Sequence, residues 1–145
     1  MAAFTKYDQF VEDLAQKVHD LFGTAGSGAD TLKVLLSNTT PVPGTHKVRG
    51  DVAELAAGNG YTSGGASLAN VGTRSAGTVS VVATDVRFTA AGGDLGPFRY
   101  AIVYNDTPTS PADPLVCYFD YGSALTLHDT EFLDVDFGAS LFTLT

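Results

Sequence analysis

The side chains best suited to acid–base or metal chemistry are the three histidines, His19, His46 and His128, which lie far apart in the sequence. None stands in a ligand pattern such as His-x-x-x-His, in which two imidazoles share one helix face. His19 falls near the polar side of a predicted helix, so we expect a solvated ring. His128 precedes Asp129 at a predicted strand end, which favours a turn residue over a general base.

Asp134 and Asp136 stand two residues apart on a predicted strand, so their carboxylates would project from the same face. Paired carboxylates can hydrolyse glycosides, and clusters of them can bind calcium. The calcium pattern Asp-x-Asp-x-Asp-Gly is absent, and two carboxylates on an outer strand face are usually the solvated side of a sheet. We therefore expect a solvated pair, with a hydrolase and an adventitious structural cation as alternatives.

Cys117 is the single cysteine, which excludes an internal disulfide and a cysteine-only zinc cluster. It lies in the apolar run 115–119, where a buried, inert thiol is the expected state. A catalytic cysteine would need a neighbouring base, and the sequence identifies none.

The glycine-rich run 58–65, GNGYTSGG, has the composition of a phosphate loop without its pattern. It lacks the Lys that follows the final Gly of a P-loop, and its next glycine comes one residue too late for Gly-x-Gly-x-x-Gly. A turn with close backbone approach explains it better.

An exposed aromatic platform could bind sugar, and the second half of the chain is rich in aromatic residues. They are Tyr100, Tyr104, Tyr118, Phe119 and Tyr121. Tryptophan is absent and these aromatics alternate as sheet residues do, which favours core packing or a subunit interface. Taken together, these patterns predict a protein that is not an enzyme and that holds neither a cofactor nor a metal.

Composition narrows the possible partners. The 145 residues suit one domain, and eight basic against sixteen acidic residues give a net charge of −8, with Lys and Arg scattered. This distribution argues against nucleic-acid binding. No apolar stretch is long enough for a membrane helix, and Asp8, Glu12 and Asp13 interrupt any signal-peptide core, so we expect a cytoplasmic product. Charged residues make up only 17%, which suits a protein packed against neighbours, or a sparsely charged monomer.

The elements begin with one predicted amphipathic helix over 5–22. Thr5 is the expected N-cap, Gly23 the expected end, and 24–28 a flexible connection. Its apolar stripe consists of Tyr7, Phe10, Val11, Leu14, Ala15, Val18, Leu21 and Phe22. The opposite face, including Asp13, is expected to be in water. The stripe is predicted to cover the chain's own sheet, with docking on another subunit as the alternative.

The residue pattern over the rest of the chain, 30–145, predicts a β domain. The predicted strands are 31–37, 78–83, 85–89, 98–104, 115–121, 124–127, 131–137 and 140–144. The segments 39–50 and 105–114 are proline-rich loops, and 51–57 fits either a helical turn or a strand. Short strands without intervening helices indicate a mainly β fold in a single domain, 1–145. We expect an antiparallel β-sandwich or jelly-roll-like barrel with one N-terminal amphipathic α-helix.

Several segments resemble a family of small structural proteins of tailed bacteriophages. They are FTKYDQFVEDLA at 4–15, DTLKV at 30–34, ELAAGNGYT at 54–62, GPFRYAIVYNDTP at 96–108, PADPL at 111–115 and FDYGS at 119–123. The resemblance spans nearly the whole chain and is strongest at 96–108. It implies a virion component made in the cytoplasm of a bacterial host, and that family has no catalytic residues to transfer.

Within that class the expectation is a capsid decoration, or cement, protein that stabilises the shell of a double-stranded DNA phage. Its partner would be the major capsid protein or another virion protein, with self-association, most plausibly as a trimer, and without nucleic acid or membrane. The alternative is a neck, tail or fibre component, including a carbohydrate-binding adhesin. The candidate contact residues are Tyr7, Phe10, Leu14, Pro41, Pro43, Pro108 and Pro111.

Overall fold

A computed structural model describes residues 2–145, and in that range the chain forms twelve strands, one α-helix and a 3-10 turn at Arg49–Asp51. Helix α1 spans Asp8–Ala15. The strands are β1 (Ala3–Lys6), β2 (Gly23–Ala25), β3 (Gly28–Ala29), β4 (Leu32–Ser37), β5 (Ala66–Ser67), β6 (Val71–Ser75), β7 (Thr78–Val82), β8 (Val86–Thr89), β9 (Leu95–Asn105), β10 (Leu115–Leu127), β11 (Phe132–Val135) and β12 (Phe142–Leu144).

Two sheets and one ribbon make up the described part of the chain. The first sheet has the order β1-β10-β9-β4-β5, the second the order β12-β7-β6-β2-β3, and β8 pairs with β11. Apart from the short parallel pair β2–β3, neighbouring strands are antiparallel. With 49% strand, 8% helix and no closed barrel among residues 2–145, the predicted mainly β, sandwich-like fold is confirmed. No helix in this range is long and apolar enough to cross a membrane.

The main core fills the space between the sheets. Leu32, Val34 and Leu36 of β4 enter it from the first sheet, and Val81 of β7 enters it from the second. Both faces of the first sheet are buried, because Leu35 of β4 belongs to a second cluster on the opposite face. That cluster also contains Tyr7, Tyr100, Ile102, Tyr104 and Leu115. The central strands therefore combine apolar side chains on both faces, as strands buried on both sides do.

Helix α1 is shorter than the predicted 5–22. Thr5, the predicted N-cap, lies in β1, which pairs with β10 at the edge of the first sheet. The helix ends at Ala15 because Lys17 adopts φ 62°, a left-handed conformation. The Lys17 N–H donates to Leu14 O (3.3 Å) and the Val18 N–H to Asp13 O (2.9 Å), the bonding pattern of a Schellman motif.

The segment after the helix also differs from the prediction. Gly23 begins β2 instead of ending the helix, and the predicted flexible connection contributes to the β2–β3 pair. Among the later strands, the segments 115–121 and 124–127 form one strand, β10, whose register shifts between Asp120 and Leu125. The sequence did not indicate β6, since Gly72, Arg74 and Ser75 interrupt any apolar alternation.

The glycine-rich run is a turn with close backbone approach, as predicted. A Cβ on Gly60 would lie 2.1 Å from the carbonyl oxygen of Thr89, and one on Gly65 would lie 1.8 Å from that of Val34. Both glycines also have left-handed φ angles, +95° and +72°. The run thereby docks the 51–65 segment directly onto β4 and β8.

Candidate functional site: a face formed by helix α1 and two loops

The structure places the seven predicted contact residues in different environments. Tyr7 is 0% exposed and Phe10 is 4% exposed, so both pack into the chain's own cores and neither is available to a partner in this conformation. Pro41 is buried as well. Leu14, Pro43 and Pro108 are half-buried, and Pro111 is exposed. The predicted packing of the helix stripe on the chain's own sheet is confirmed for Phe10, which belongs to the main core, whereas Val11 and Ala15 of the stripe are exposed.

The three segments predicted to make contacts lie side by side. The Asp8 N–H at the start of α1 donates to Pro43 O of the 39–50 loop (3.2 Å). That loop also contacts the 105–114 loop, because the Arg49 N–H donates to Asp113 O (2.9 Å) and the Leu115 N–H donates to Lys47 O (2.9 Å). We call the surface made by α1, residues 39–50 and residues 106–113 the convergent face.

A groove of about 400 Å³ runs across the convergent face. It is lined by Gln9, Glu12, Asp13, Gln16, Lys47, Val48, Asp51 and Pro111, which come from all three segments and the 3-10 turn. This set contains three carboxylates, those of Glu12, Asp13 and Asp51, and one ammonium group, that of Lys47. The groove is therefore acidic, and a basic group of a partner fits its charge.

The groove side chains are ordered by local hydrogen bonds. The Gln9 amide donates to Asp13 Oδ1 (3.0 Å), and the Gln16 amide donates to Glu12 Oε1 (2.9 Å), both one helical turn apart. Asp51 Oδ2 accepts the backbone N–H groups of Lys47 (2.8 Å) and Val48 (3.1 Å), and these bonds lower the pKa of Asp51. Asp51 therefore stays ionised and holds the loop in place.

An ion network anchors the inner side of the convergent face. The Arg49 guanidinium donates to Glu54 Oε2 (2.7 Å), while Glu54 Oε1 accepts from the Tyr61 hydroxyl (2.8 Å) and the Gly64 N–H (2.5 Å). Burial pushes the pKa of Glu54 upward, but the bonds from Arg49, Tyr61 and Gly64 outweigh it and leave that pKa lowered. The guanidinium also lies 5.4 Å from the ring centre of Tyr104. Glu54 thus joins the turn at 49–51 to the glycine-rich run.

Two polar residues predicted to be in water are buried. Asp13 is 2% exposed and His19 is 8% exposed. The ring of His19 packs against Phe10 with centroids 5.0 Å apart, and its Nδ1 lies 3.0 Å from the Asn105 amide nitrogen. Sequence reasoning placed His19 on the polar side of a long helix; because the helix ends at Ala15, the chain instead turns His19 inward.

The remaining candidates behave largely as predicted. Cys117 is buried, and burial raises the pKa of its thiol far above the ordinary range. His128 is an exposed turn residue, and its Nδ1 lies 3.0 Å from Asp94 Oδ1, which raises its pKa. Asp134 of β11 and Asp136, one residue after this strand ends, are both exposed, as expected. The Arg87 guanidinium donates two hydrogen bonds to the Asp134 carboxylate, one to Oδ1 (2.7 Å) and one to Oδ2 (2.8 Å).

The aromatic residues of the second half pack mainly inside the protein. Tyr100, Tyr104 and Phe119 are buried, whereas Tyr118 and Tyr121 are half-buried. The core-packing interpretation is confirmed for the three buried rings. A second concavity of about 550 Å³ borders Phe119 and Tyr121 and is lined by Asp120, Asp134 and Asp136. Asp120 there is already paired with Arg99 (2.8 Å).

Within residues 2–145, no group of three or more His, Cys, Asp or Glu side chains is placed to hold a metal ion. Comparisons with protein families, with curated proteins and with solved structures give no match to this chain.

Proposed function

We propose that this chain is a structural component of a tailed-phage particle and that it binds the capsid shell as a decoration protein. The observation that carries the proposal is the convergent face, which gathers into one surface the helix and both loops predicted to make contacts. The resemblance over nearly the whole sequence supplies the class of particle. A neck, tail or fibre position remains the alternative within the same class.

The chemistry of the convergent face defines the kind of partner. Val42 on the 39–50 loop, which is 46% exposed, offers apolar contact. The acidic groove offers binding to Lys or Arg side chains. A partner surface with basic side chains around a shallow apolar patch matches both features, and opposite charge speeds the encounter of the two molecules.

Many copies of such a contact would strengthen a shell. A standard interface buries on the order of 1,600 Å² in total, and weak contacts repeated at each junction between capsid subunits gain strength through multivalency. Self-association, with a trimer favoured, would match the local symmetry of capsid junctions. Each copy would then oppose the separation of neighbouring subunits under internal DNA pressure.

Copy number is the first test. Quantitative mass spectrometry of purified particles gives the number of these chains per major capsid subunit. A ratio near one is expected for a shell-wide decoration protein. A few to a dozen copies per particle would place the chain at the neck, tail or fibre instead, and the cement mechanism would be withdrawn.

Matched surface variants test which surface of the protein contacts the capsid shell. Deletion of residues 1–22 is unsuitable, because it removes β1 and the buried Tyr7 and Phe10 and should unfold the domain. Val42→Glu places a carboxylate on the convergent face, next to Pro43, which contacts the start of α1. Val82→Glu makes the same change on the second sheet, at a side chain that is 37% exposed.

Binding to particles stripped of this protein should fall at least tenfold for Val42→Glu, because a carboxylate desolvated in an apolar contact costs more than about 1.4 kcal/mol. Val82→Glu should bind like the wild type, with both variants checked by circular dichroism and thermal melting. Equal binding by both variants would remove the convergent face as the contact surface.

A further inference from the structure

His19 occupies a buried hydrogen-bond network that joins the chain after α1 to the end of β9. Asn105, itself 0% exposed, is the centre of this network. Its amide nitrogen lies 2.7 Å from Asp30 Oδ2 and 3.0 Å from His19 Nδ1. Its amide oxygen accepts the Thr107 N–H (3.1 Å).

These contacts fix the protonation of His19. A backbone N–H can only donate, so the Thr107 bond requires the oxygen of the Asn105 amide on that side and the nitrogen on the other. Both amide hydrogens then point at acceptors, one at the Asp30 carboxylate and one at His19 Nδ1. Nδ1 must therefore carry a lone pair, and the neutral ring carries its proton on Nε2, which lies 3.9 Å from Asp13 Oδ2.

A second proton on His19 is incompatible with this arrangement. A protonated Nδ1 would point its N–H at the amide N–H group of Asn105, and two donors cannot form a hydrogen bond with each other. Rotating the amide by half a turn would satisfy Nδ1 but would set the amide nitrogen against the Thr107 N–H and remove the bond to Asp30. Either way the network loses buried hydrogen bonds, and such losses are costly where water is excluded.

The same network holds the segment 16–30 in place. The Asp20 N–H donates to Asp30 Oδ2 (2.9 Å), and the Asp30 N–H donates to Asp20 O (2.7 Å). Asp30 Oδ2 thus receives bonds both from its own segment and from Asn105 of β9. Loss of the Asn105 contact would free residues 16–22, together with the C-terminal end of α1, whereas β2 stays paired with β6 in the second sheet.

We propose that His19 is an acid-sensitive latch: neutral, it fastens residues 16–22 to β9 through Asn105, and protonated, it releases them. The proposal does not depend on the proposed function. It would give the C-terminal end of α1 a mobility that increases in mildly acidic surroundings.

The charges around His19 set the direction of the effect. The charged groups that face it are Asp13 from α1 and Asp30 from the β3–β4 connection, whereas β9 presents the neutral Asn105. Burial lowers the pKa of His19, and this outweighs the attraction of Asp13 and Asp30 for a proton. The released segment, whose histidine has an ordinary pKa near 6.5, takes up a proton first, so acid favours release.

The test uses the full-length chain and needs two measurements. Nitrogen NMR of the imidazole rings should show neutral His19 with its proton on Nε2. Hydrogen exchange, corrected for the intrinsic effect of pH, should show opening of the 16–22 amides rising between about pH 7 and pH 5. With an open-state pKa near 6.5 the rise is at most on the order of 25-fold. Amides of β4 and β9 should change less.

The variant His19→Asn keeps an acceptor near the position of Nδ1 and cannot titrate in this range. It should abolish the rise, whereas His128→Asn, which alters an exposed histidine, should retain it. A proton on Nδ1 in the wild type would overturn the proposal even if His19→Asn fails to fold. So would the absence of an acid-dependent rise, or a rise that persists in a folded His19→Asn protein.

Discussion

At the residue scale, Lys17 shows how one backbone angle limits an element. It occupies the left-handed position at the end of α1, where a Cβ atom costs roughly 1–2 kcal/mol and glycine is normally found. The pattern of apolar residues continues through Phe22, so periodicity predicts a longer helix. Only the backbone conformation at Lys17 ends it, and a lysine gives no local signal of that conformation.

Lys17→Gly should raise the free energy of unfolding by about 1 kcal/mol, because glycine adopts the left-handed conformation without strain. Lys17→Ala is the control, since it removes the same charge and keeps the Cβ. Chemical denaturation of the two variants gives the comparison. A glycine variant no more stable than the alanine variant would show that Lys17 is not strained.

Glu54 is the second residue whose role depends on distant neighbours. Glu54→Gln should lower the free energy of unfolding by about 2–3 kcal/mol, because Arg49 and the Tyr61 hydroxyl lose a charged acceptor in a largely buried site. Asp134→Asn, which breaks the exposed pair with Arg87, should leave stability nearly unchanged.

The contribution of Glu54 also predicts a pH dependence. Its pKa in the folded protein is lowered below the ordinary 4.5, so its stabilising effect is complete above that pH. The effect is lost as the pH falls through the lowered folded value. Denaturation curves recorded from neutral pH into acid should therefore show the wild type and Glu54→Gln converging in stability below about pH 4.5. A constant difference at all pH values would contradict this assignment.

At the scale of elements, the sequence predicted where strands lie better than which strands pair with each other. The two aspartates of the predicted strand 131–137 lie on one exposed side, as predicted, and they alternate with Leu133, Val135 and Phe137, which are half-buried or buried. β1 and β6 were missed because they carry weak patterns and are strands only through pairing with β10 and β7. Pairing of this kind depends on residues far apart in the chain, which local periodicity does not contain.

The glycine-rich run 58–65 needs glycine for two reasons: it lies in close contact with β4 and β8, and parts of it have a left-handed backbone conformation. Gly65→Ala should lower the free energy of unfolding by about 3 kcal/mol or more, because the new Cβ would meet the Val34 carbonyl at a left-handed backbone position. Gly50→Ala meets nothing within 4 Å and should change stability by about 0.5 kcal/mol or less. Thermal melting of both variants makes the comparison, and equal losses would mean that the run is not held against β4.

At the scale of the whole molecule, the convergent face could be predicted only in pieces. The helix and the two proline-rich loops were each predicted separately from the sequence. Their meeting depends on long-range backbone bonds such as Tyr7 N–H to Val116 O (3.1 Å) and Leu115 N–H to Lys47 O. The acidic groove was therefore not predicted, although every residue that lines it is visible in the sequence. Tyr7 and Phe10 were assigned to a partner because an apolar helix stripe does not reveal what it packs against.

The net charge of −8 and the acidic groove together predict how binding should respond to salt. If the partner presents basic side chains, affinity for stripped particles should fall as the screening length shortens from roughly 30 Å at 0.01 M to roughly 8 Å at 0.15 M ionic strength. Lys47→Gln removes the basic residue of the groove and should bind severalfold more tightly at low salt, whereas Glu12→Gln should bind severalfold more weakly. Sedimentation of the particles with labelled protein measures all three affinities. Affinities that do not change with salt, or variants that shift in the same direction, would show that contact with the shell is apolar and that the groove does not take part.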